Sequence, residues 1–329
     1  VADDGQVTQP TDRTDPADRR DPADRTGPDP RADPARAPLR VDEVRAALLA
    51  PAGPLSRCEV VARAGSTSTE LLARLRADAG WADGGLLVAE HQEAGRGRAG
   101  HTWTTPPGAA LTLSLAVRTG VPTERWGWLP LLTGLGVVRA VRATTGLDAG
   151  LKWPNDVLVP APDGVDLPGW GRERKAVGIL AEVAPAGGAG GGGADGAVVL
   201  GIGVNVGQTP AELPVPSATS LVAAGAAGVD RTSVLVAVVR EVTGLLSRWR
   251  VHAGDAVASG LADEVAAACR TLGVVVRATL PDGAELRGVA ERIAADGALI
   301  LRDEEGVERT LLAGDVRHVR PVGELGSAE

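Results

Sequence analysis

The spacing of apolar positions changes several times along the chain, and each change marks an element. Val41–Leu49 has helical spacing, ended by Pro51 and Pro54. Cys58–Ala62 reads as a strand. After it, the Ser/Thr cluster from Ser66 to Thr69, followed by Glu70, reads as a helix N-cap, with Leu71, Leu72 and Leu75 continuing an apolar face. Leu86–Glu90 is a short buried strand and Ala110–Arg118 alternates as another. Trp126–Thr144 is a long apolar helix with Leu131, Leu135, Val138 and Val141 at near-helical spacing, suited to packing across a sheet. Leu151–Val159 is apolar around a polar centre. Beyond the polar insert Pro160–Arg174, Lys175–Val183 and Ala197–Val204 read as paired strands, joined through the glycine run Gly187–Gly193 as a hairpin loop. Val234–Trp249 and Asp255–Cys269 are helical.

From Gly273 the period becomes strand-like. Val274–Ala278, Glu285–Ala290, Ala298–Leu301 and Glu308–Leu312 are short strands separated by turns at Pro281-Asp-Gly, Asp296-Gly and Glu304-Glu-Gly. Close-set strands of this kind make a small β-barrel. The chain therefore divides into a tail over residues 1–38, a main domain over 39–270, a barrel over 271–322 and a short end over 323–329. The main domain is α+β, a mixed sheet with helices packed on one side. The tail is assigned by composition: Asp15-Pro-Ala-Asp-Arg19 recurs as Asp21-Pro-Ala-Asp-Arg25, and proline every few residues with little apolar content leaves nothing to offset ordering entropy.

Composition changes the picture in three places. Met, Tyr and Phe are absent, so Leu, Val, Ile and seven Trp must fill the core. A net charge of −8 argues against broad nucleic-acid binding, while leaving room for a local basic pocket. The cysteines, Cys58 and Cys269, have no metal-like or disulfide-framework spacing and read as reduced thiols. No run of 18 apolar residues and no signal-like N-terminal segment are present, which predicts a cytoplasmic protein without a membrane span.

Polar chemistry gathers in a few clusters. Glu90–Trp103 packs Gly95, Gly97, Gly100, Arg96 and Arg98 just after a strand. Glycine lets backbone approach a ligand, and arginine offers a fork of donors to an anion. Ser66 and Thr67 stand at a helix N-terminus, either as a plain cap or facing a ligand. Lys152-Trp-Pro-Asn-Asp156 sets an ammonium, an amide and a carboxylate around a rigid Trp-Pro, able to neutralise phosphate and hold a cation. Lys175 opens a strand that otherwise reads as buried. Gly201-Ile-Gly-Val-Asn205 lacks the third glycine and the following helix of a dinucleotide turn, and suits close strand packing beside a ligand.

Taken in this order, Ser66-Thr67, Gln92-x-x-Gly-Arg-Gly-Arg-x-Gly100, Trp103, Lys152–Asp156, Lys175-x-x-Gly-Ile-Leu180 and Gly201–Asn205 resemble the catalytic domain of biotin–protein ligases, over about residues 56–322. The resemblance implies a class II synthetase-like catalytic fold followed by an SH3-like barrel. It implies that biotin and MgATP give biotinyl-5′-adenylate, and that the acyl group then passes to a lysine of a biotin carboxyl carrier domain in a biotin-dependent carboxylase. Carried over by motif, Ser66, Thr67, Gln92, Gly95, Arg96, Gly97, Arg98, Lys175, Gly178 and Gly203 line the biotin site. Arg98, Trp103, Lys152, Asn155 and Asn205 serve ATP, and Asp156 lies near magnesium or the phosphates. Lys175 and Arg98 are the catalytic candidates. His101 stands where the family often has arginine. The segment before the first strand is too short for the operator-binding winged helix of bifunctional members, so the resemblance is to a ligase without DNA binding. Lipoate–protein ligases, which share the fold, are the nearest alternative, followed by a non-catalytic biotin- or nucleotide-binding regulator.

Overall fold

A computed structural model of the chain describes residues 33–184, 196–280, 283–312 and 315–318. Most of the Pro/Asp/Arg tail, the glycine run 187–193, residues 281 and 282 of the Pro281-Asp-Gly turn and the C-terminal end from 319 lie outside the described residues. In chain order the elements are α1 (Val41–Leu48), β1 (Arg57–Ala64), α2 (Thr67–Ala77), β2 (Gly85–Gln92), β3 (Gly95–Arg96), β4 (Thr102–Trp103), β5 (Ala110–Arg118), α3 (Trp128–Thr145), β6 (Gly150–Lys152), β7 (Asp156–Pro160), β8 (Glu173–Val183), β9 (Ala197–Asn205), α4 (Arg231–Val251), α5 (Leu261–Ala268), β10 (Val275–Thr279), β11 (Glu285–Ile293), β12 (Leu299–Asp303), β13 (Glu308–Leu311) and β14 (Asp315–His318).

Seven strands form one mixed sheet in the order β1-β2-β5-β9-β8-β7-β6. β1 and β2 are parallel, joined through α2, and the remaining pairs are antiparallel. Alternation along the strands sends Leu86, Val88, Leu113, Leu115 and Leu200 to one face, where they pack with α1, α3, α4 and α5. Leu87, Ala116 and Val199 point to the other face and pack under Leu71, Leu72 and Leu75 of α2. The helices therefore cover both faces, not the single side expected from the pattern. A parallel strand–helix–strand unit must carry its helix across the sheet in a right-handed crossover, and that puts α2 opposite the rest.

The missing aromatics are made up by tryptophan. Trp128, Trp153 and Trp249 are at most 1% exposed. Burial of a Trp side chain of roughly 150–250 Å² is worth about 4–6 kcal/mol as an upper estimate. The indole of Trp128 donates to Ala295 O at 2.9 Å and that of Trp153 to Gly297 O at 3.1 Å, so the start of α3 and the β6–β7 turn are both tied to the β11–β12 turn. Those strands form a five-stranded antiparallel sheet in the order β13-β12-β11-β10-β14, and among the described residues the two outer strands do not pair with each other. Its buried residues Val276, Leu299 and Leu311 belong to the same apolar cluster as the main core.

Residues 33–38, grouped with the tail by composition, lie against the main domain. Ala35 is buried, and Arg36 donates from Nε and Nη2 to Gly207 O at 3.0 and 2.8 Å and pairs with Glu212. Leu39 N donates to Glu90 Oε1 at 2.6 Å, and Glu90 also meets the buried Arg231 of α4 at 2.8 Å. This strap fixes the end of β2, where the glycine/arginine loop begins.

Candidate functional site

On the face that α2 only partly covers, a cavity of about 970 Å³ opens between α2, the glycine/arginine loop, the β6–β7 turn and the strands β8 and β9. Its two ends differ in chemistry. At one end Ser66 caps α2, its Oγ accepting from Thr69 N at 3.4 Å. Gln92, at the last position of β2, accepts through Oε1 from Thr67 N at 2.9 Å and from Thr67 Oγ1 at 3.1 Å. Thr67 in turn accepts from Ser114 Oγ at 2.8 Å, and Ser114 and Ser68 share a bond of 2.9 Å. These four side chains are buried, so each hydroxyl needs the next one for satisfaction. Ser68 belongs to the Ser/Thr cluster of the sequence, while Ser114 escaped the sequence reading. The signal for Ser114 was present, since Thr112 and Ser114 are the polar positions of an otherwise apolar alternating strand.

The other end is charged. In the β6–β7 hairpin Lys152 and Asp156 are register partners across Trp153-Pro154-Asn155. A single stretch of nine residues in the sequence reading is thus two short strands with the motif as their turn. Asp156 Oδ1 lies 2.6 Å from Lys175 Nζ, and Oδ2 lies 3.8 Å from Lys152 Nζ. Both ammonium groups thus meet at Asp156, mostly shielded from solvent, where they border the cavity. Among the described residues no three His, Cys, Asp or Glu gather as a metal site.

Between the ends lies Trp103. Its indole rests on a floor made by Gly178 of β8 and Gly203 of β9: a Cβ at Gly203 would stand 2.5 Å from the ring and one at Gly178 would stand 2.9 Å away. Only glycine permits that approach. Lys175 Nζ sits 5.9 Å from the Trp103 ring centroid.

The glycine/arginine loop carries a small hairpin that the sequence reading did not contain, β3 paired with β4, so that Gly95 opposes Trp103. Gly95 does not line the cavity. A Cβ there would fall 2.2 Å from Trp103 O and 2.3 Å from Gln92 Nε2, so its role is to let strand end and loop meet. Arg96 reaches Thr69 Oγ1 at 3.0 Å and Glu182 Oε1 at 2.7 Å, latching the loop to both α2 and β8. Arg98 donates to Asn155 Oδ1 at 3.1 Å, while Asn155 donates to Ile179 O at 2.8 Å. His101 is exposed, with Nδ1 2.9 Å from Arg98 O. Gly97, Arg96, Arg98 and His101 all border the cavity.

Asn205 lines the cavity, but its amide is engaged elsewhere. Its Nδ2 donates to Thr219 O at 3.0 Å and its Oδ1 accepts from Gln208 at 2.8 Å, which braces the loop from 207 to 219. That loop closes the charged end with Leu213, Pro214 and Val215 and places Glu212 at the rim. The Arg36 guanidinium, then the amide and hydroxyl of Thr209, lower the Glu212 carboxyl to about 2.

The match to known families follows the same division. A model described as the Biotin/lipoate A/B protein ligase family matches residues 60–205, and one described as the Biotin protein ligase C terminal domain matches residues 271–319. The chain is similar to the biotin--[acetyl-CoA-carboxylase] ligase of Mycobacterium tuberculosis, 39% identical over 292 residues, 88% of this chain and 98% of that protein. The bifunctional ligase/repressor BirA of Escherichia coli is 26% identical over 238 residues, 71% of this chain and 66% of that protein. Among solved structures, the biotin protein ligase of Aquifex aeolicus in complex with biotin and ATP superposes with a TM-score of 0.60 at 24% identity, covering 81% of this chain and 100% of that one. At that identity the superposition speaks to the fold alone. The relative matched along nearly its whole length carries the stronger statement: the chain belongs to the biotin protein ligase family.

Proposed function

We propose that the chain activates biotin with ATP to biotinyl-5′-AMP and transfers the biotinyl group to a lysine of a biotin carboxyl carrier domain. The observation that carries this reading is one cavity with a buried hydroxyl–amide end and an end that holds Lys152 and Lys175, with Trp103 between them. The first end suits a ureido ring, which needs both donors and acceptors held in place, and the second suits a triphosphate. In the first step the biotin carboxylate attacks the α-phosphorus, the bond to the β-phosphate oxygen breaks, and pyrophosphate leaves. Two anions approach each other, so positive charge aimed at the reacting centre lowers the barrier. Lys175 would supply that charge, with Asp156, 2.6 Å away, holding its ammonium in position. In the second step the acceptor amine attacks the acyl carbonyl and AMP departs, with no covalent bond to the enzyme.

Ser66, Thr67, Gln92 and the backbone of Gly97 would line the biotin end, with Arg96 latching the loop above it. Gly178 and Gly203 would serve by admitting Trp103, which would wall off the nucleotide with Lys152. Arg98 and Asn155 would hold the loop closed over the adenylate, and Asn205 would act through the loop it braces. Asp156 is committed to two lysines, and among the described residues it belongs to no group of three His, Cys, Asp or Glu, so these residues do not fit a resident cation. Magnesium belongs in this reading to the MgATP substrate. Among the described residues no helix is long and apolar enough to cross a membrane, and consumption of ATP favours a cytoplasmic site.

The test is incubation of the full chain with ATP, an acceptor domain and either biotin or lipoate. Labelling of the acceptor lysine with biotin is expected. Labelling with lipoate alone would make the chain a lipoate ligase, and binding without transfer would make it a regulator.

A further inference from the structure

The insert between β7 and β8 is a built structure. Ala161 N donates to Arg172 O at 2.9 Å, and Leu167 and Gly171 exchange two backbone bonds of 2.9 Å. The guanidinium of Arg174, 6% exposed, donates to the carbonyls of Val165, Gly171 and Glu173 at 2.9–3.0 Å. The folded insert brings Trp170 back to the charged end of the cavity, where its ring centroid lies 4.7 Å from Lys152 Nζ. Lys152 is 2% exposed, so the contact is made in a desolvated setting, where an ammonium over an indole face is worth most. Asp156 lies 2.6 Å from Lys175 and 3.8 Å from Lys152, so its closer ion pair is with Lys175.

We infer that Trp170 is a positioning residue for the nucleotide. Resting on the reading above, it acts through Lys152, holding the ammonium at the polyphosphate end of the cavity and excluding water from it. The aromatic face, not the bulk of the side chain, does the holding.

The experiment uses the full chain. Binding of a non-hydrolysable ATP analogue is titrated directly, and KM values for ATP and biotin are measured by pyrophosphate release. Trp170→Leu should weaken analogue binding and raise KM for ATP about 10- to 30-fold. KM for biotin should stay within about 2-fold, and Trp170→Phe, which keeps an aromatic face, within about 3-fold of the wild type. Trp170→Met replaces the Leu variant where Leu is not tolerated. On a Lys152→Ala background, Trp170→Leu should add less than about 2-fold. Unchanged nucleotide binding, equal losses for ATP and biotin, or additivity with Lys152→Ala would each overturn the role. A wild-type chain that binds the analogue but labels no acceptor would refute the ligase reading and leave the titration of Trp170 intact.

Discussion

The glycine floor under Trp103 gives a perturbation whose size can be worked from geometry. Gly203→Ala places a methyl 2.5 Å from Trp103 Cε2 and 2.8 Å from Cζ2 and Nε1. Carbon atoms pack best at about 3.5–4.0 Å, so the indole must retreat by roughly 1–1.5 Å. Forcing a methyl into such a contact costs about 1–3 kcal/mol where the neighbour stays. Here the neighbour is able to leave, because Trp103 sits on a two-residue strand paired only with the loop's own Gly95 and Arg96. The fold should then lose little, on the order of 0.5 kcal/mol as for a surface change. The ring no longer lies where the nucleotide needs it, and the full cost passes to binding. KM for ATP should rise about 5- to 150-fold, the equivalent of 1–3 kcal/mol. Gly201→Ala is the control two residues away on the same face: its methyl meets Ser68 Oγ at 2.5 Å instead of Trp103, so it should raise KM for biotin. Pyrophosphate release measured against each substrate, with thermal melts alongside, separates the cases. A Gly203→Ala enzyme with KM for ATP within 2-fold of wild type, or with equal rises for both substrates, would refute the floor.

Other outcomes follow from the same geometry. Lys175→Ala should cut the rate of adenylate formation at least about 100-fold while direct titration shows biotin binding changed less than about 5-fold, and equal losses would remove its role at the reacting centre. Arg98→Gly breaks the tie to Asn155 and should let the adenylate escape, seen by mass spectrometry as labelling of bystander lysines; unchanged selectivity would count against closure by Arg98. Burial pushes the Cys58 thiol up to about 11. At pH 8 only about one thiol in a thousand is then thiolate, and alkylation of Cys58 in the native chain should climb about tenfold per pH unit through pH 9 and 10. Rapid alkylation at pH 7 would contradict that environment.

Sequence periodicity located most elements, because a buried face repeats whatever it packs against. It did not say which face of the sheet a helix takes. The apolar stripe of α2 looks the same on either side, and only its place between two parallel strands decides. Local sequence likewise identified Asn205 and Asn155 as polar groups near a ligand but not their partners. Asn155 is held by Ile179 of β8, 24 residues away, and Asn205 by Thr219, 14 residues on in the loop that follows β9. The strap is a sharper case. Proline and aspartate made residues 33–38 read as tail, yet Arg36 is fixed by groups some 171 positions away, beyond any local pattern.

The location of the cavity follows from an imbalance between the two sheet faces. Seven strands at about 4.8 Å spacing make a sheet about 29 Å wide. α1, α3, α4 and α5 cover one face. The other has α2, whose 11 residues make a rod of about 16 Å length and 10 Å width, packed over β2, β5 and β9. Toward β8 and β7 that face lacks helical cover among the described residues, and apolar side chains there would be exposed. The strands answer with glycine at 178, 201 and 203, and the glycine/arginine loop lays Trp103 over 178 and 203. Side chains at these positions would fill the space and bring the loop no nearer. The same alternation that buries Leu113 and Leu115 beneath α3 and α4 turns Thr112 and Ser114 to the other face, Thr112 at the cavity wall and Ser114 under the start of α2. Site and core are therefore two readings of one strand pattern, and a change of register by a single residue in β5 would destroy both at once.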